Sequence, residues 1–154
     1  MIIRPIESRD IDAILAIQQA SPEVAQWTAR DYARVVEGEM AGWVAAEENG
    51  GVAGFLTARR AASDLEILNF AVLANARRHG LGKSLLREAV IWSKAFHAEN
   101  AFLEVRASNS PALRFYERYG FRLAGRRPRY YTAPVEDALL LTADIAALAG
   151  NMQA

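Results

Sequence analysis

The chain has 154 residues, of which 52% are hydrophobic, with 18 basic and 18 acidic side chains and no cysteine. Its length allows a self-sufficient core in one domain, which we expect over residues 1–154, and its composition excludes a disordered, collagen-like or low-complexity protein. The lack of cysteine excludes a disulfide framework and a cysteine nucleophile, and the balanced charge argues against a general polyanion binder.

The first third of the chain predicts a strand and two helices. Residues 2–7 (IIRPIE) predict a short edge strand, and Ser8 is expected to cap a helix that runs to Gln19. Thr28 opens a capping-box pattern, which predicts a second helix over residues 29–37.

A β-hairpin and a buried strand follow. Asn49-Gly50 supplies a tight turn between two apolar runs, residues 43–48 and 52–60, which we expect to pair as antiparallel strands. Residues 65–72 (LEILNFAV) are largely apolar, as expected for a central strand that is covered on both faces.

Helical spacing of apolar residues, a Ser-Pro helix start and a terminating glycine predict the rest of the chain. The expected order is helix, strand, helix, strand, strand, at residues 80–96, 101–107, 110–120, 121–125 and 138–141.

Several kinds of site and location are excluded. The two histidines, His79 and His97, have no partner at metal-ligand spacing, so we expect no metal. The first ten residues include acidic side chains and a proline where a secretory signal needs an apolar stretch, and no run approaches 18 apolar residues. We therefore expect a cytoplasmic protein with no membrane partner.

Basic side chains are concentrated in one segment. Residues 71–131 carry 12 basic and 4 acidic side chains, whereas residues 1–70 carry 6 and 11. From composition alone, the segment is either a solvated helical face or a site for an anion.

Within that segment, residues 77–83 (RRHGLGK) lie between a predicted strand and a predicted helix. Glycine lets backbone N–H groups approach a ligand closely, and a helix N-terminus carries about half a positive charge. The arrangement is typical of a pyrophosphate cradle, although a simple tight turn would produce the same string. It is neither a P-loop nor a dinucleotide-binding pattern.

The segment resembles the acetyl-CoA motif of the GCN5-related N-acetyltransferase (GNAT) superfamily, in which Arg or Gln is followed three residues later by Gly and five residues later by Gly or Ala. Arg77, Gly80 and Gly82 match that motif. Three further stretches are similar to RimI-type ribosomal-protein-alanine N-acetyltransferases, namely residues 68–72, 103–121 and 126–141. The resemblance implies an α/β (α+β) GNAT fold, a mixed and mostly antiparallel twisted sheet with helices on both faces. It also implies acetyl-CoA as the acetyl donor.

The resemblance further implies where the coenzyme binds. Two central strands are expected to splay apart, so that backbone groups of one pair with the pantetheine arm and the Val72 N–H becomes the oxyanion donor. Asn109 is expected to contact the coenzyme, although capping a helix is an ordinary role for an asparagine at such a position. The predicted coenzyme-binding residues are Phe70, Ala71, Val72, Arg77, Arg78, His79, Gly80, Leu81, Gly82, Lys83, Ser84 and Asn109.

Acetyl transfer to an amine requires a base for the ammonium proton and an acid for the leaving thiol. Strand alternation places Glu104 opposite Leu103 and Val105, and the resemblance makes Glu104 the general base, acting directly or through water. It makes Tyr116, four residues before a Gly-Phe pair, the general acid. Without the resemblance, these two would be interpreted as a salt-bridged carboxylate and a core aromatic residue.

An acceptor-binding surface is implied as well. Residues 126–131 (RRPRYY) are expected to form a loop that lines the acceptor peptide, although mixed arginine and tyrosine is also typical of a nucleic-acid strip. Gln26-Trp27 stands where family members often have Pro-Trp, in a loop that borders the same site. The predicted acceptor-binding residues are Trp27, Asn69, Arg129, Tyr130 and Tyr131.

The function implied by the resemblance is acetylation of a protein N-terminus, in particular the N-terminal alanine of a small-subunit ribosomal protein. Two alternatives stay open: a GNAT enzyme that acetylates lysine or a small amine, and a non-catalytic domain that senses coenzyme A or binds nucleic acid. We expect a monomer or weak dimer that does not act on nucleic acid.

Overall fold

The computed structural model describes residues 1–77 and 79–153 and contains a seven-stranded sheet with helices on both faces. The strands are β1 (Ile2–Pro5), β2 (Ala41–Ala46), β3 (Val52–Ala61), β4 (Asp64–Val72), β5 (Asn100–Arg106), β6 (Arg122–Thr132) and β7 (Val135–Asp144). The helices are α1 (Ile11–Gln19), α2 (Ala29–Val36), α3 (Leu81–Ser93), α4 (Ser110–Arg118) and α5 (Ile145–Asn151). In the described ranges, no helix has the length and apolar content needed to cross a bilayer.

The strands lie in the order β1-β2-β3-β4-β5-β7-β6, and the predicted mixed, mostly antiparallel sheet is confirmed. Among the described strands, β4 and β5 alone are parallel neighbours, and they share two residue pairs, Leu65 with Ala101 and Glu66 with Phe102. Over the rest of their described lengths, the two strands have no ladder between them. The sheet therefore opens at its centre.

Each face of the sheet has its own core. On one face, α3, α4 and α5 contribute buried residues such as Leu85, Tyr116 and Leu148. On the other, α1 and α2 contribute Ile14 and Tyr32. The predicted arrangement of helices on both faces is thus confirmed. Each helix is held against the sheet by the apolar surface that it buries there.

Most predicted boundaries are confirmed. The β2–β3 hairpin forms with Gly50 at φ +88°, and Thr28 caps α2. Ser8 does not cap α1, because a 3-10 turn precedes the helix and the Asp10 carboxylate accepts a hydrogen bond from the Glu7 N–H at 2.8 Å.

The C-terminal region differs most from expectation. β6 and β7 are 11 and 10 residues long, about twice the predicted length, and α5 was not predicted. β6 is an edge strand whose side chains are mostly exposed, so it lacks the apolar alternation by which a strand is recognised. In α5 only Ile145 and Leu148 are buried, which is too few to define a helical stripe.

A bulge in β4 decides which side chains face which core. β3 pairs with Ile67 and Asn69 at adjacent positions, so Leu68 has no partner across the ladder. One extra residue exchanges the faces of all later side chains. Ile67 therefore packs with α3, whereas Asn69 and Ala71 face α1 and α2, and Phe70 packs beside α4.

A buried ion pair ties β1 to the start of α1. The Arg4 guanidinium donates to both oxygens of Asp10, at 2.7 and 2.9 Å, and Asp10 is only 3% exposed. Burial alone would raise the pKa of Asp10, but the bonds from Arg4 and from the Glu7 N–H outweigh it and hold that pKa below its ordinary value.

We expect Arg4→Met to lower the free energy of unfolding by about 3 kcal/mol at pH 7, because it leaves the Asp10 charge buried without a cation. Since the folded-state pKa of Asp10 is depressed, the contribution of the pair is full above the unfolded-state value of about 3.9 and is lost as pH falls through the folded-state pKa. Urea unfolding at pH 7 and pH 3 measures this loss. Arg9→Met, in an exposed ion pair with Glu7, is the control and should cost less than about 1 kcal/mol. An equal cost of Arg4→Met at both pH values would contradict the expectation.

Candidate active site

The gap between β4 and β5 exposes backbone groups of β4. The Asn69 and Leu73 N–H groups donate towards β3, at 3.1 and 2.8 Å. Because successive N–H groups of a strand point in opposite directions, those of Phe70 and Val72 point towards the gap. These two residues can therefore pair with an extended ligand that lies where the next strand would be.

Ala71 requires a correction. Its backbone faces β3, where it pairs with Phe55, and its side chain is 7% exposed in the core beneath α1 and α2. Its backbone is therefore not available to a ligand in the gap, contrary to expectation.

Two groups at the gap already have protein partners. The Phe70 N–H donates to the Asn69 side-chain oxygen at 3.2 Å, and the Arg77 Nε donates to the Val72 carbonyl at 3.1 Å. Arg77 is exposed and so is His79, which follows it at the same turn. Arg78, also predicted to bind the coenzyme, lies outside the described residues.

The N-terminus of α3 opens beside the gap. Gly80 precedes the helix with φ +76°, a left-handed conformation that glycine adopts readily. The Ser84 N–H and hydroxyl both donate to the Gly80 carbonyl at 3.0 Å, so the Ser84 side chain is engaged within the first turn. The N–H groups of Leu81 and Gly82 belong to this turn, where an α-helix provides no acceptor, and Lys83 follows. Such a terminus favours an anion such as a pyrophosphate.

Gly82 has a packing role that the sequence did not reveal. A Cβ built on it would lie 3.0 Å from the Phe115 ring and 3.3 Å from the Phe70 ring. The missing side chain thus lets the start of α3 approach β4 and α4 closely. The glycine brings the anion-binding N-terminus and the open strand edge together.

Asn109 is the N-cap of α4, the ordinary role that the sequence suggested beside coenzyme binding. Its side-chain oxygen accepts a hydrogen bond from the Ala112 N–H at 3.3 Å. The cap uses the oxygen, so any coenzyme contact from this side chain would come from its amide N–H groups.

Glu104 lies on β5, half-buried, on the face opposite Leu103 and Val105. Its Oε1 lies 3.1 Å from the Arg127 Nε, and Arg127 is 58% exposed. Burial raises the pKa of Tyr131, and the negative charge of Glu104 raises it further. Tyr131 therefore lies near enough to Glu104 to be affected by its charge. A half-buried carboxylate with an exposed counterion can exchange that counterion for another cation.

Tyr116 lies on α4, 7% exposed, with its ring against Phe70, Phe115 and Phe121 at centroid distances of 5.2 to 6.3 Å. Within the described ranges, no buried side-chain polar atom lacks a hydrogen-bond partner, and no protein partner of the Tyr116 hydroxyl is observed there. Burial raises the pKa of Tyr116, so the group holds its proton at neutral pH. Tyr119, one turn further, packs on Phe115 in the same core.

Residues 126–131 form part of β6 rather than a loop. Between Arg127 and Tyr131 the register with β7 shifts, and Arg129 in this bulge has φ +55°. The Arg129 N–H donates to Asp137 at 2.9 Å, and Tyr130 is 50% exposed. The ladder to β7, which propensity did not indicate, holds this segment in the sheet, next to Glu104.

Asn69 and Trp27 lie on the other side of Glu104, towards α2. Asn69 is 3% exposed and its amide donates to the Ala25 carbonyl and the Tyr32 hydroxyl, so the side chain is a buried link rather than a surface for an acceptor. Trp27 is half-buried and its ring packs on Tyr32 at 5.2 Å. Of the two side chains, that of Trp27 is the more accessible.

Three residues of this region were not predicted. Arg127 was considered only as part of residues 126–131, and Gln18 and Tyr32 only fall within the ranges of two predicted helices. Their roles depend on partners far away in the sequence, which no local pattern signals. In the part of the chain that the structure describes, no group of three or more metal-ligating side chains occurs.

An open edge between parallel strands, with a helix N-terminus beside it, fits an enzyme that transfers an acyl group from a coenzyme A thioester. The sequence profile of the acetyltransferase (GNAT) family matches residues 10–121, and the chain belongs to that family. It is an N-acetyltransferase that uses acetyl-CoA.

Two named proteins and one crystal structure illustrate what this chain is similar to. A Bacillus subtilis protein named as a ribosomal protein bS18-alanine N-acetyltransferase is 34% identical, covering 90% of this chain and 92% of its own. An N-alpha-acetyltransferase of Sulfurisphaera tokodaii is 30% identical, with coverage of 93% and 92%. The crystal structure of the ribosomal-protein-S18-alanine N-acetyltransferase from Escherichia coli superposes with a TM-score of 0.78 at 28% identity, covering 94% of this chain and 93% of that one.

We expect Gly82→Val to lower coenzyme A affinity at least about tenfold, or 1.4 kcal/mol, because the new side chain would push Phe115 and the α3 N-terminus out of place. Titration calorimetry with coenzyme A measures this loss, and thermal unfolding checks that the variant is folded. Gly150→Val is the matched control, since a Cβ at Gly150 meets nothing within 4 Å. Unchanged affinity in a folded Gly82→Val protein would count against this site.

Proposed function

We propose that the protein acetylates the N-terminal α-amine of a protein, most specifically the N-terminal alanine of a small-subunit ribosomal protein. The observation that carries the proposal is the half-buried Glu104, with its exchangeable counterion, between the open edge of β4 and the bulge of β6. The names of the Bacillus and Escherichia relatives support this class of acceptor.

Bound acetyl-CoA supplies an acetyl thioester, whose carbonyl carbon the amine attacks. The α3 N-terminus and Arg77 bind the pyrophosphate, the backbone of Phe70 and Val72 binds the pantetheine arm, and Asn109 adds an amide contact. The Val72 N–H donates to the acetyl oxygen and so favours the negative charge that develops there.

Glu104 removes the proton of the acceptor ammonium, directly or through one water. In the free protein the Glu104 carboxylate is paired with Arg127, and the acceptor must displace that arginine. An ion pair with so exposed a partner contributes about 1 kcal/mol or less, so the exchange is inexpensive. The acceptor ammonium takes the place of the guanidinium and is thereby brought to the base.

Tyr116 gives its proton to the sulfur of coenzyme A as the carbon–sulfur bond breaks, and the second proton that the amine nitrogen loses on becoming an amide restores the tyrosine. Burial holds the hydroxyl neutral, as a proton donor requires. A thiol with a pKa of about 8.5 is a passable leaving group on its own, so this acid assists without being indispensable.

Proton availability favours an α-amine over lysine. With a pKa of about 7.8, roughly 14% of N-terminal amines are neutral at pH 7, against about 0.04% of lysine side chains with a pKa of about 10.4. Deprotonating an N-terminal amine at neutral pH therefore requires much less free energy from a general base than deprotonating a lysine side chain.

The surroundings of the site fit a protein acceptor better than a nucleic acid. Arg126, which could form part of a phosphate-binding strip, is paired with Asp137 at 2.7 Å. We propose that the enzyme acts in the cytoplasm, as a monomer or weak dimer, on ribosomal-protein N-termini that Trp27, Arg129, Tyr130 and Tyr131 surround.

We expect Glu104→Gln to lower turnover about 10²- to 10⁴-fold near neutral pH, the loss typical of a general base, while coenzyme A affinity is kept. Tyr116→Phe should cost less. Steady-state kinetics with an acceptor peptide measure both, with Glu99→Gln, exposed just before β5, as the matched control. Turnover of Glu104→Gln near that of the wild type, with chemistry rate-limiting, would show that another group is the base.

A panel of peptides tests the acceptor. Peptides that begin Ala-Arg should be acetylated faster than the same peptides with a blocked N-terminus and an internal lysine, because more of the α-amine is neutral. Tandem mass spectrometry locates the acetyl group. Acetylation mainly on lysine, or only of small free amines, would overturn the ribosomal-protein proposal and leave the acetyltransferase activity intact.

A further inference from the structure

Three buried polar side chains connect the two sheet-facing helices α1 and α2 to β4. The Tyr32 hydroxyl of α2 accepts a hydrogen bond from the Asn69 amide at 3.0 Å and donates to the Gln18 side-chain oxygen of α1. Tyr32 is fully buried, and Gln18 and Asn69 are 5% and 3% exposed. Burial raises the pKa of Tyr32, so that its hydroxyl remains a donor.

Both ends of this chain of hydrogen bonds hold the loop between α1 and α2. The Gln18 amide donates to the Trp27 carbonyl at 2.8 Å, and the Asn69 amide donates to the Ala25 carbonyl at 2.9 Å. The loop backbone is therefore fixed at two carbonyls by side chains from two different elements. Leaving a buried polar group without a hydrogen-bond partner lowers the stability of the protein. These side chains therefore restrict the loop backbone to positions in which both bonds are made.

Asn69 also reaches the open edge of β4. Its side-chain oxygen accepts from the Phe70 N–H at 3.2 Å, and its own N–H donates to Thr57 at 3.1 Å. The same amide thus touches the backbone that faces the gap and the loop that carries Trp27. The Asn69 side chain therefore connects the backbone of β4 at Phe70 to the backbone of the loop at Ala25.

We propose that Gln18, Tyr32 and Asn69 are positioning residues for the acceptor: they hold the segment from Ala25 to Trp27 at a fixed place relative to β4 and so shape the acceptor side of the site. This inference rests on the proposed N-terminal acetylation of a protein. It gives Asn69 an indirect role in place of the direct acceptor contact that the sequence suggested.

Tyr32→Phe tests the proposal, because it removes one oxygen from the network and keeps the ring that packs on Trp27 and Phe55. With an Ala-Arg peptide, KM for the peptide should rise at least about fivefold, whereas the coenzyme A affinity should stay within about twofold of the wild type. Hydrogen exchange in peptides that cover residues 21–28 should become faster in the same variant.

Val35→Ala is the matched control, since it removes apolar volume from the same helix and the same core without touching the network. It should leave the peptide KM and the exchange of residues 21–28 unchanged. The proposal is overturned if folded Tyr32→Phe keeps the wild-type peptide KM, or if Val35→Ala raises that KM equally.

The two proposals can fail separately. A wild-type protein that acetylates no peptide would overturn the proposed function. The exchange comparison between Tyr32→Phe and Val35→Ala does not depend on activity, and equal exchange of residues 21–28 in both would overturn the role of the network by itself.

Discussion

The parallel pairing of β4 with β5 ends after two residue pairs, and the rest of the site depends on that interruption. Backbone groups at the centre of a sheet are ordinarily used by the neighbouring strand, and here Phe70 and Val72 have none on that side. An extended ligand with amide groups of its own can take the place of the strand. The α3 N-terminus then lies beside the same edge, because Gly82 leaves room for Phe115 and Phe70.

The bulge at Leu68 determines how that edge is connected to the helices. Without the extra residue, Asn69 would share the face of Ile67 and point into the core beneath α3. With it, Asn69 faces α2 and joins Tyr32, while Phe70 turns towards α4 and contacts the ring of Tyr116 at 6.3 Å. One irregular position thus sends two consecutive side chains to opposite faces of the sheet, Asn69 to α2 and Phe70 to α4.

The two carboxylates with arginine partners show how burial changes the value of an ion pair. Asp10 is almost fully buried and bound by both nitrogens of Arg4, so losing the cation is costly. Glu104 is half-buried and its Arg127 is largely exposed, so the pair is weak and the cation replaceable. Burial of the partners therefore decides whether an arginine–carboxylate pair contributes to stability or can be exchanged for another cation.

Sequence alone predicts the elements whose stabilising groups are near one another in the chain: the capped helix at Thr28, the hairpin at Gly50, the buried β4 and the glycine-rich start of α3. It also determined the family, because the motif residues keep their order and spacing. The folded protein was needed to show the length of the exposed β6, the packing role of Gly82, the counterion of Glu104 and the burial of Asn69. Each of these depends on a partner distant in sequence: Phe115 for Gly82, Arg127 for Glu104, Tyr32 for Asn69. Local propensity cannot report contacts that form only when the sheet is assembled.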